Sequence, residues 1–354
     1  MPPLPMNTNK MKAVFLLKKK EFEVRDIPRP RPKEKEVLIR VKVVGVCGSD
    51  VHYYLEGKIG SQQIIKEPLI LGHELSGEVA ELGKGAGNFK VGQRVVVEPA
   101  ISCGKCEVCR KGWTNICPLV KFLGTPPVNG AFCEYLVMPG ENLFPLPDKL
   151  SDEEGVMFEP LAIGLYAVRL SRFLPGETVA ILGSGPIGLV TLLSARAAGA
   201  SLIFATDIIP ERLKAAKKIG ARDVFNPEKE DVAEKIMELT KGRGVDVTFE
   251  AAGKEETINQ AFAITALGGR VMIIGIPEVD AITYEPHQMR RKELLIQNVR
   301  RSLDTTGASI RLVEEGLINL KPLITHRYPF DKITEAFELV SHYQDGVIKA
   351  VIKM

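Results

Sequence analysis

The sequence predicts an α/β protein of two domains, in which a strand-rich, barrel-like domain is followed by a doubly wound parallel sheet, and the chain then returns to the first domain. Three observations predict it. Short β-branched and alternating apolar runs fill the first half, strands and helical segments alternate from about Gly176, and a Gly-x-Gly-x-x-Gly sequence stands at the first strand-to-helix turn of that alternation. At 354 residues the chain suits about two domains of roughly 150 residues each. The expected division places residues 1–165 and 300–354 in the first domain and 166–299 in the second.

The first-half strands are read over Met11–Leu17, Val37–Val46, Leu75–Leu82, Arg94–Glu98 and Ala131–Val137, each punctuated by glycine or proline. The alternation then runs through a strand at Thr178–Leu182, a helix at Ile187–Ala198, a strand at Leu202–Thr206 and a helix at Glu211–Ile219. Further strands at Asp246–Glu250 and Arg270–Gly275 continue it. Such βαβ succession builds a parallel sheet with helices on both faces. A helix at Ala308–Gly316 and a strand at Val347–Lys353 close the chain and are expected to rejoin the first domain.

Composition narrows the function. Hydrophobic residues make up 45 % and charged residues 26 %, a soluble globular balance, and the net charge of +3 is spread without a basic block, which disfavours nucleic acid or an anionic membrane as partner. Met1–Lys10 has no apolar segment and reads as a short disordered lead rather than a signal peptide, so a cytoplasmic protein is expected. Val179–Ala200 is apolar, but Gly183, Gly185, Pro186, Gly188 and Arg196 interrupt it, as suits a buried strand, turn and helix.

Gly183-Ser184-Gly185-Pro186-Ile187-Gly188 follows an apolar strand and opens a helix, the context in which this motif binds a dinucleotide. The first glycine permits the turn, the second lets a pyrophosphate approach the backbone, and the third lets helix and strand pack. Asp207 ends the next strand, where a carboxylate accepts hydrogen bonds from ribose hydroxyls and repels a 2′-phosphate. Arg212 lies close enough to hold such a phosphate, but the acid at the strand end favours NAD.

Of six cysteines, Cys103, Cys106, Cys109 and Cys117 fall within fifteen residues, too close for a typical set of separate disulfides and enough to close a tetrahedral zinc shell, with disulfides or an iron-sulfur cluster as the alternative. A closed all-sulfur shell is structural. Catalysis needs an exchangeable position, and the candidate ligands for a second zinc are Cys47, the pair His73-Glu74, and Glu159 before Pro160.

Together these residues resemble the medium-chain zinc alcohol dehydrogenases, and within them the sorbitol (polyol) dehydrogenases. The resemblance is carried by Cys47-Gly48-Ser49-Asp50-Val51-His52-Tyr53, Lys58-Ile59-Gly60, Leu71-Gly72-His73-Glu74, Thr125-Pro126-Pro127, Glu159-Pro160-Leu161, Gly183 to Gly188, and Lys321-Pro322-Leu323-Ile324-Thr325-His326-Arg327. It implies a GroES-like β-barrel catalytic domain joined to a Rossmann domain. It also implies that Cys47, His73 and Glu74 bind the catalytic zinc, with Glu159 reaching the metal directly or through water. Tyr53, Phe122, Thr125, Glu159 and Arg301 match substrate positions. Ile187, Asp207, Arg212, the stretch Ile274-Gly275-Ile276, Arg300 and Arg301 match positions that hold NAD, and Ser49 with His52 matches a proton relay. Relatives are commonly homotetramers or homodimers paired through the edge of the nucleotide-binding sheet.

Two departures bear on the substrate and the lobe. The four-cysteine lobe is complete, unlike that of animal sorbitol dehydrogenases, and the family's Phe-Arg-Tyr reads Arg300-Arg301-Ser302, which removes two aromatics. The expected reaction is oxidation of a secondary alcohol of a polyol to a ketose. An alcohol releases hydride readily only once its hydroxyl proton has left, and zinc brings the pKa of water it holds from about 15.7 to about 7. L-threonine 3-dehydrogenase and 2,3-butanediol dehydrogenase share the ligand pattern and stand as alternatives. A non-catalytic zinc- and NAD-binding protein is the alternative from another class.

Overall fold

The computed structural model describes residues 9–60, 63–277 and 279–354, so the lead expected over Met1–Lys10 lies outside them up to Thr8. The chain forms two compact units. The first holds the chain through Glu159, together with Ile324–Asp345 and Lys349–Met354; the second holds Pro160–Leu323 and Gly346–Ile348.

The first unit is organised around the strand Glu36–Gly45, whose apolar residues are nearly all buried. Leu75–Leu82 pairs antiparallel along one edge. The other edge is shared between Tyr135–Pro139, opposite its first half, and Lys349–Lys353, opposite Val43 to Gly45. Arg94–Val97, Leu143–Pro145 and Ile324–Pro329 complete a seven-stranded sheet. The strand expected at Ala131–Val137 begins only at Tyr135. Ahead of it, Ala131 and Phe132 donate their amides to the carbonyls of Gly72 and Leu71, away from the sheet register, and Phe132 is fully buried. One helix of this unit, α1 (Gly48–Glu56), leaves directly from the central strand.

The second unit has a six-stranded parallel sheet in the order Asp223–Phe225, Leu202–Thr206, Thr178–Leu182, Val245–Glu250, Thr265–Ile273, Leu295–Asn298. The order reverses direction after Thr178–Leu182, the point at which such sheets open a ligand crevice at their carboxyl ends. Its helices include α2 (Phe158–Leu170), α3 (Pro186–Ala197), α4 (Pro210–Ile219), α5 (Glu255–Ile264) and α6 (Thr306–Glu314). The expected boundary at residue 165 falls inside α2, and segment 300–323, expected with the first domain, belongs to this unit. The reason is local bonding: Thr305 Oγ1 donates to Ala162 O at 2.7 Å, and the Arg169 guanidinium donates to the carbonyls of Leu303 and Asp304.

Asp246 at the start of its strand gives this unit a measurable acid sensitivity. Its Oδ2 accepts from the Thr178 amide and hydroxyl, both at 2.8 Å, and Arg243 pairs with it. Burial works against the charged form, but these partners outweigh it and pull the carboxyl from 3.8 down to about 2. A depressed native pKa adds stability that is present above the unfolded value and disappears as pH falls through the native one. Wild type is therefore expected to lose stability more steeply than Asp246→Asn between pH 3.8 and about 2, as read by denaturant midpoints across that window.

Candidate metal centres and coenzyme site

The loop from Cys103 to Cys117 winds so that backbone amides point at sulfur: Cys106 N–H at Cys103 Sγ (3.4 Å), Cys109 N–H at Cys106 Sγ (3.4 Å), and Cys103 N–H at Cys117 Sγ (3.5 Å). All four Sγ atoms lie within 4.8 Å of one another, with Cys103 to Cys109 and Cys106 to Cys117 each at 3.9 Å. A zinc ion with Zn–S bonds of about 2.3 Å needs sulfurs about 3.8 Å apart at the corners of a tetrahedron, whereas a disulfide needs about 2.05 Å. The spacing fits the metal. Amides of Lys105 and Cys106 pull the Cys103 thiol down to about 6, while burial and the neighbouring sulfurs push Cys109 up to about 12. Four sulfurs this close cannot all ionise alone; a dication at their centre removes that obstacle.

The second cluster is built by the start of α1 and the segment after Leu71. Cys47 caps α1 in extended conformation, and the Ser49 hydroxyl donates to Cys47 Sγ at 3.3 Å. Ser49 itself lies inside the helix, and His52 follows one turn on, half-buried. Asp50, only 1 % exposed, joins the two segments. Its Oδ2 accepts the Cys47 amide at 3.2 Å, and its Oδ1 accepts the Gly72 amide at 3.1 Å and faces His73 Nδ1 at 3.5 Å. With Nδ1 directed at a carboxylate, Nε2 is the nitrogen left to bind a metal.

Ligand atoms of Cys47, His73 and Glu74 converge to within 4.8 Å. Burial disfavours a charged His73, but Asp50 and the Cys47 sulfur more than offset it and raise its pKa well above 6.5. The surroundings of His73 thus favour positive charge at that place, as those of a metal site should. Glu159, near the start of α2, is buried but not a member of this trio. Burial pushes its carboxyl up to about 8, with Glu74 and Glu98 adding to the rise and His73 and Lys349 opposing it. A carboxylate in that setting is stabilised by a nearby cation.

Lys349, which the sequence reading does not single out, is the most consequential addition. It is 1 % exposed, and its Nζ donates to both Glu74 oxygens, at 2.6 and 2.7 Å, and towards Val46 O at 3.4 Å. Burial works against its charge, yet Glu74 and Cys47 raise its pKa, so the ammonium persists. Gly45 makes room for this arrangement, because a Cβ there would lie 2.3 Å from Glu74 Oε2. Phe122 lies beside the cluster, its ring 5.2 Å from that of His73, and Thr125 donates its amide to Phe122 O at 3.1 Å. Tyr53 is fully buried on α1.

In the second unit Gly183 adopts φ +92°, and a Cβ on Gly188 would lie 1.8 Å from Gly183 O, so both positions require glycine. Around Gly185 only Arg212 Nη1, at 3.7 Å, comes near the place of a Cβ, which leaves the approach to the start of α3 open. Pro186 is the first residue of α3 and Ile187 the second, and no side chain caps the helix amides. That combination suits an anion. Asp207 Oδ2 accepts the Ser184 amide and Oδ1 the Ile209 amide, both at 2.9 Å. Arg212 donates from Nε (3.2 Å) and Nη2 (3.1 Å) to Val347 O and approaches Asp207 at 3.9 Å. Ile274, Gly275 and Ile276 follow the strand Thr265–Ile273, and a Cβ on Gly275 would lie 2.2 Å from Gly253 N. Glu250, which the sequence marks only as a strand end, fixes that facing turn by accepting from the amides of Ala252 and Gly253 and the Thr257 hydroxyl. Arg300 and Arg301 follow the strand Leu295–Asn298, Arg301 with φ +56°.

Comparison with known proteins agrees with this chemistry. Residues 33–148 match the alcohol dehydrogenase GroES-like domain and residues 186–315 the zinc-binding dehydrogenase domain. A sorbitol dehydrogenase of Bacillus subtilis is 39 % identical over 342 residues, covering 97 % of each chain. Among solved structures, an Escherichia coli oxidoreductase/dehydrogenase of unknown specificity superposes with a TM-score of 0.92 at 36 % identity, over 97 % of this chain and 99 % of the other. The 2R,3R-butanediol dehydrogenase of Bacillus subtilis does so with 0.88 at 35 %, over 97 % and 99 %.

Proposed function

Because the chain belongs to the zinc-dependent medium-chain alcohol dehydrogenases, sorbitol dehydrogenase-like, we propose that it oxidises a secondary alcohol of a sorbitol- or xylitol-type polyol to a ketose with NAD. The observation that carries this reading is the convergence of Cys47, His73 and Glu74 within 4.8 Å beside the Phe122 ring. These three residues would hold the catalytic zinc, with Glu159 close by, and Cys103, Cys106, Cys109 and Cys117 the structural one. When bound, the catalytic ion supplies Lewis acidity that eases loss of the substrate's hydroxyl proton.

The rest of the chemistry belongs to the chain. Asp50 fixes the His73 tautomer and ring orientation. Ser49 stands at the cluster and His52 one turn outward, so they lead the hydroxyl proton to solvent. Phe122, Tyr53 and Thr125 would give the pocket an apolar wall with a polar point. Gly183 to Gly188 and the start of α3 would hold the pyrophosphate of NAD, Asp207 the ribose, and Ile274 to Ile276 the nicotinamide end. NAD, when bound, would supply the acceptor for the one hydride that leaves the carbinol carbon, and one proton would go to solvent.

The test is NAD reduction across sorbitol, xylitol, ribitol, 2,3-butanediol and L-threonine, with kcat/KM highest for one of the first three. A second reading, a vicinal diol, is favoured by Arg300-Arg301-Ser302, where aromatics are missing, and by the similarity to a butanediol dehydrogenase. Highest turnover of 2,3-butanediol would select it, and L-threonine the amino-acid alternative. No turnover of any would leave a non-catalytic binding protein.

Asp207→Gly is expected to raise the NADP-to-NAD ratio of kcat/KM by about 10-fold or more, roughly 1.4 kcal/mol of removed repulsion. It should stop short of an NADP preference, because Arg212 is held by the Val347 carbonyl. No helix among the described residues is long and apolar enough to cross a membrane. A cytoplasmic location suits the thiol cluster, which needs a reducing compartment. A homodimer or homotetramer joined through Leu295–Asn298, all four residues exposed, suits the unpaired edge of the second sheet.

A further inference from the structure

Away from the metal and coenzyme residues, the second unit carries a groove of about 520 Å³. Its floor is apolar, with Leu165 of α2, Phe173, Leu312 of α6 and Leu317 among its lining. Its polar rim is lopsided, since Arg169, Arg172 and Arg311 contribute guanidinium groups and Glu315 the one carboxylate.

Among the described residues, none of the three cations is paired with a carboxylate within 4.0 Å. Arg169 donates to the carbonyls of Leu303 and Asp304 and lies 5.6 Å from the centre of the Tyr166 ring, so its partners are dipoles and a π-face. Arg172 and Arg311 are exposed, and neither meets a carboxylate within 4.0 Å among the described residues. The Arg172 position is also fixed. Its backbone sits at φ +54°, a conformation uncommon for a side-chain-bearing residue, and Arg270 holds the carbonyls of Ser171 and Arg172 at 2.9 and 3.0 Å.

We propose that this groove binds a free, single-chain alkyl carboxylate, with the chain on the Leu165, Phe173 and Leu312 floor and the carboxylate among Arg169, Arg172 and Arg311. The charge imbalance selects an anion, and guanidinium forks match a carboxylate's two oxygens. The apolar floor selects an alkyl chain. The volume lies within the roughly 300–1,000 Å³ of small-molecule sites, whereas a stable protein partner needs a surface of about 1,200–2,000 Å² in total, which a groove of this size does not supply.

The experiment is calorimetric titration of the intact enzyme with dodecanoate below its micellar concentration, with dodecyltrimethylammonium as the cationic counterpart. Dodecanoate should bind saturably at one site per chain and at least 10-fold more tightly than the ammonium. The double variant Arg172→Glu/Arg311→Glu should weaken dodecanoate at least 10-fold, and Ala308→Trp, which fills the groove from α6, should abolish binding. Both should keep wild-type alcohol oxidation and circular dichroism; should Ala308→Trp not fold, the charge-reversal variant still decides. Absence of saturable binding, equal binding of the ammonium, or unchanged affinity in the double variant overturns the proposal. So does groove-dependent self-association in sedimentation, or capture by anionic vesicles in preference to the free acid.

Discussion

Replacing Cys106 by alanine is expected to lower bound zinc from about two ions per chain to about one, read by metal analysis after gel filtration. The remaining sulfurs, Cys103, Cys109 and Cys117, would leave an open shell. Structural zinc sites of this kind bind with about 10–16 kcal/mol, comparable to the whole net stability of a domain, so the variant should also melt far below wild type. The natural control is Cys133. It is buried, donates to the carbonyls of Gly130 and Tyr135, and its thiol is pushed up to about 12 by burial, so Cys133→Ala should leave zinc content unchanged. Equal zinc in wild type and Cys106→Ala would remove the lobe's assignment as a metal site.

The second large effect is expected at Lys349. Its ammonium and the Glu74 carboxylate are both 1 % exposed, and breaking a buried pair by deleting one partner costs about 3–5 kcal/mol because the other charge is stranded. Lys349→Met should therefore lower the stability of chelator-treated protein by about that amount. Zinc brings its own positive charge to the Glu74 side of the cluster, so the metal-loaded protein should lose less, and the gap between loaded and stripped melting temperatures should widen. Lys349→Arg, which keeps the charge, should narrow it again. An unchanged gap in Lys349→Met would mean that Lys349 and the metal do not act on the same carboxylate.

These two predictions differ in how far the sequence foretells them. The cysteine lobe, the glycine motif with Asp207, and the Cys47 and His73-Glu74 segments are legible because each is local: spacing of a few residues already dictates which atoms can meet. Asp50 stands inside one of those segments, but its part in tying Cys47 to Gly72 and His73 appears only when the two segments are placed together. Lys349 leaves no such trace. It lies 275 residues from Glu74 and reads as an ordinary alternating residue of a terminal strand, because only the pairing of that strand with Val43–Gly45 brings it to the carboxylate. The same reasoning covers segment 300–323. Its helix is amphipathic and periodic in any domain, and the bonds from Thr305 to Ala162 and from Arg169 to Leu303 and Asp304 that assign it to the second unit join residues more than a hundred positions apart.

The placement of Val347 and Lys349 has a consequence for biosynthesis. One offers the carbonyl that anchors Arg212 next to Asp207, and the other the ammonium that compensates Glu74. Both leave the ribosome after every other residue of their respective sites. A nascent polypeptide can therefore assemble its cysteine lobe early, while the Arg212 guanidinium waits for the Val347 carbonyl and the Glu74 carboxylate for the Lys349 ammonium, each translated more than a hundred residues later.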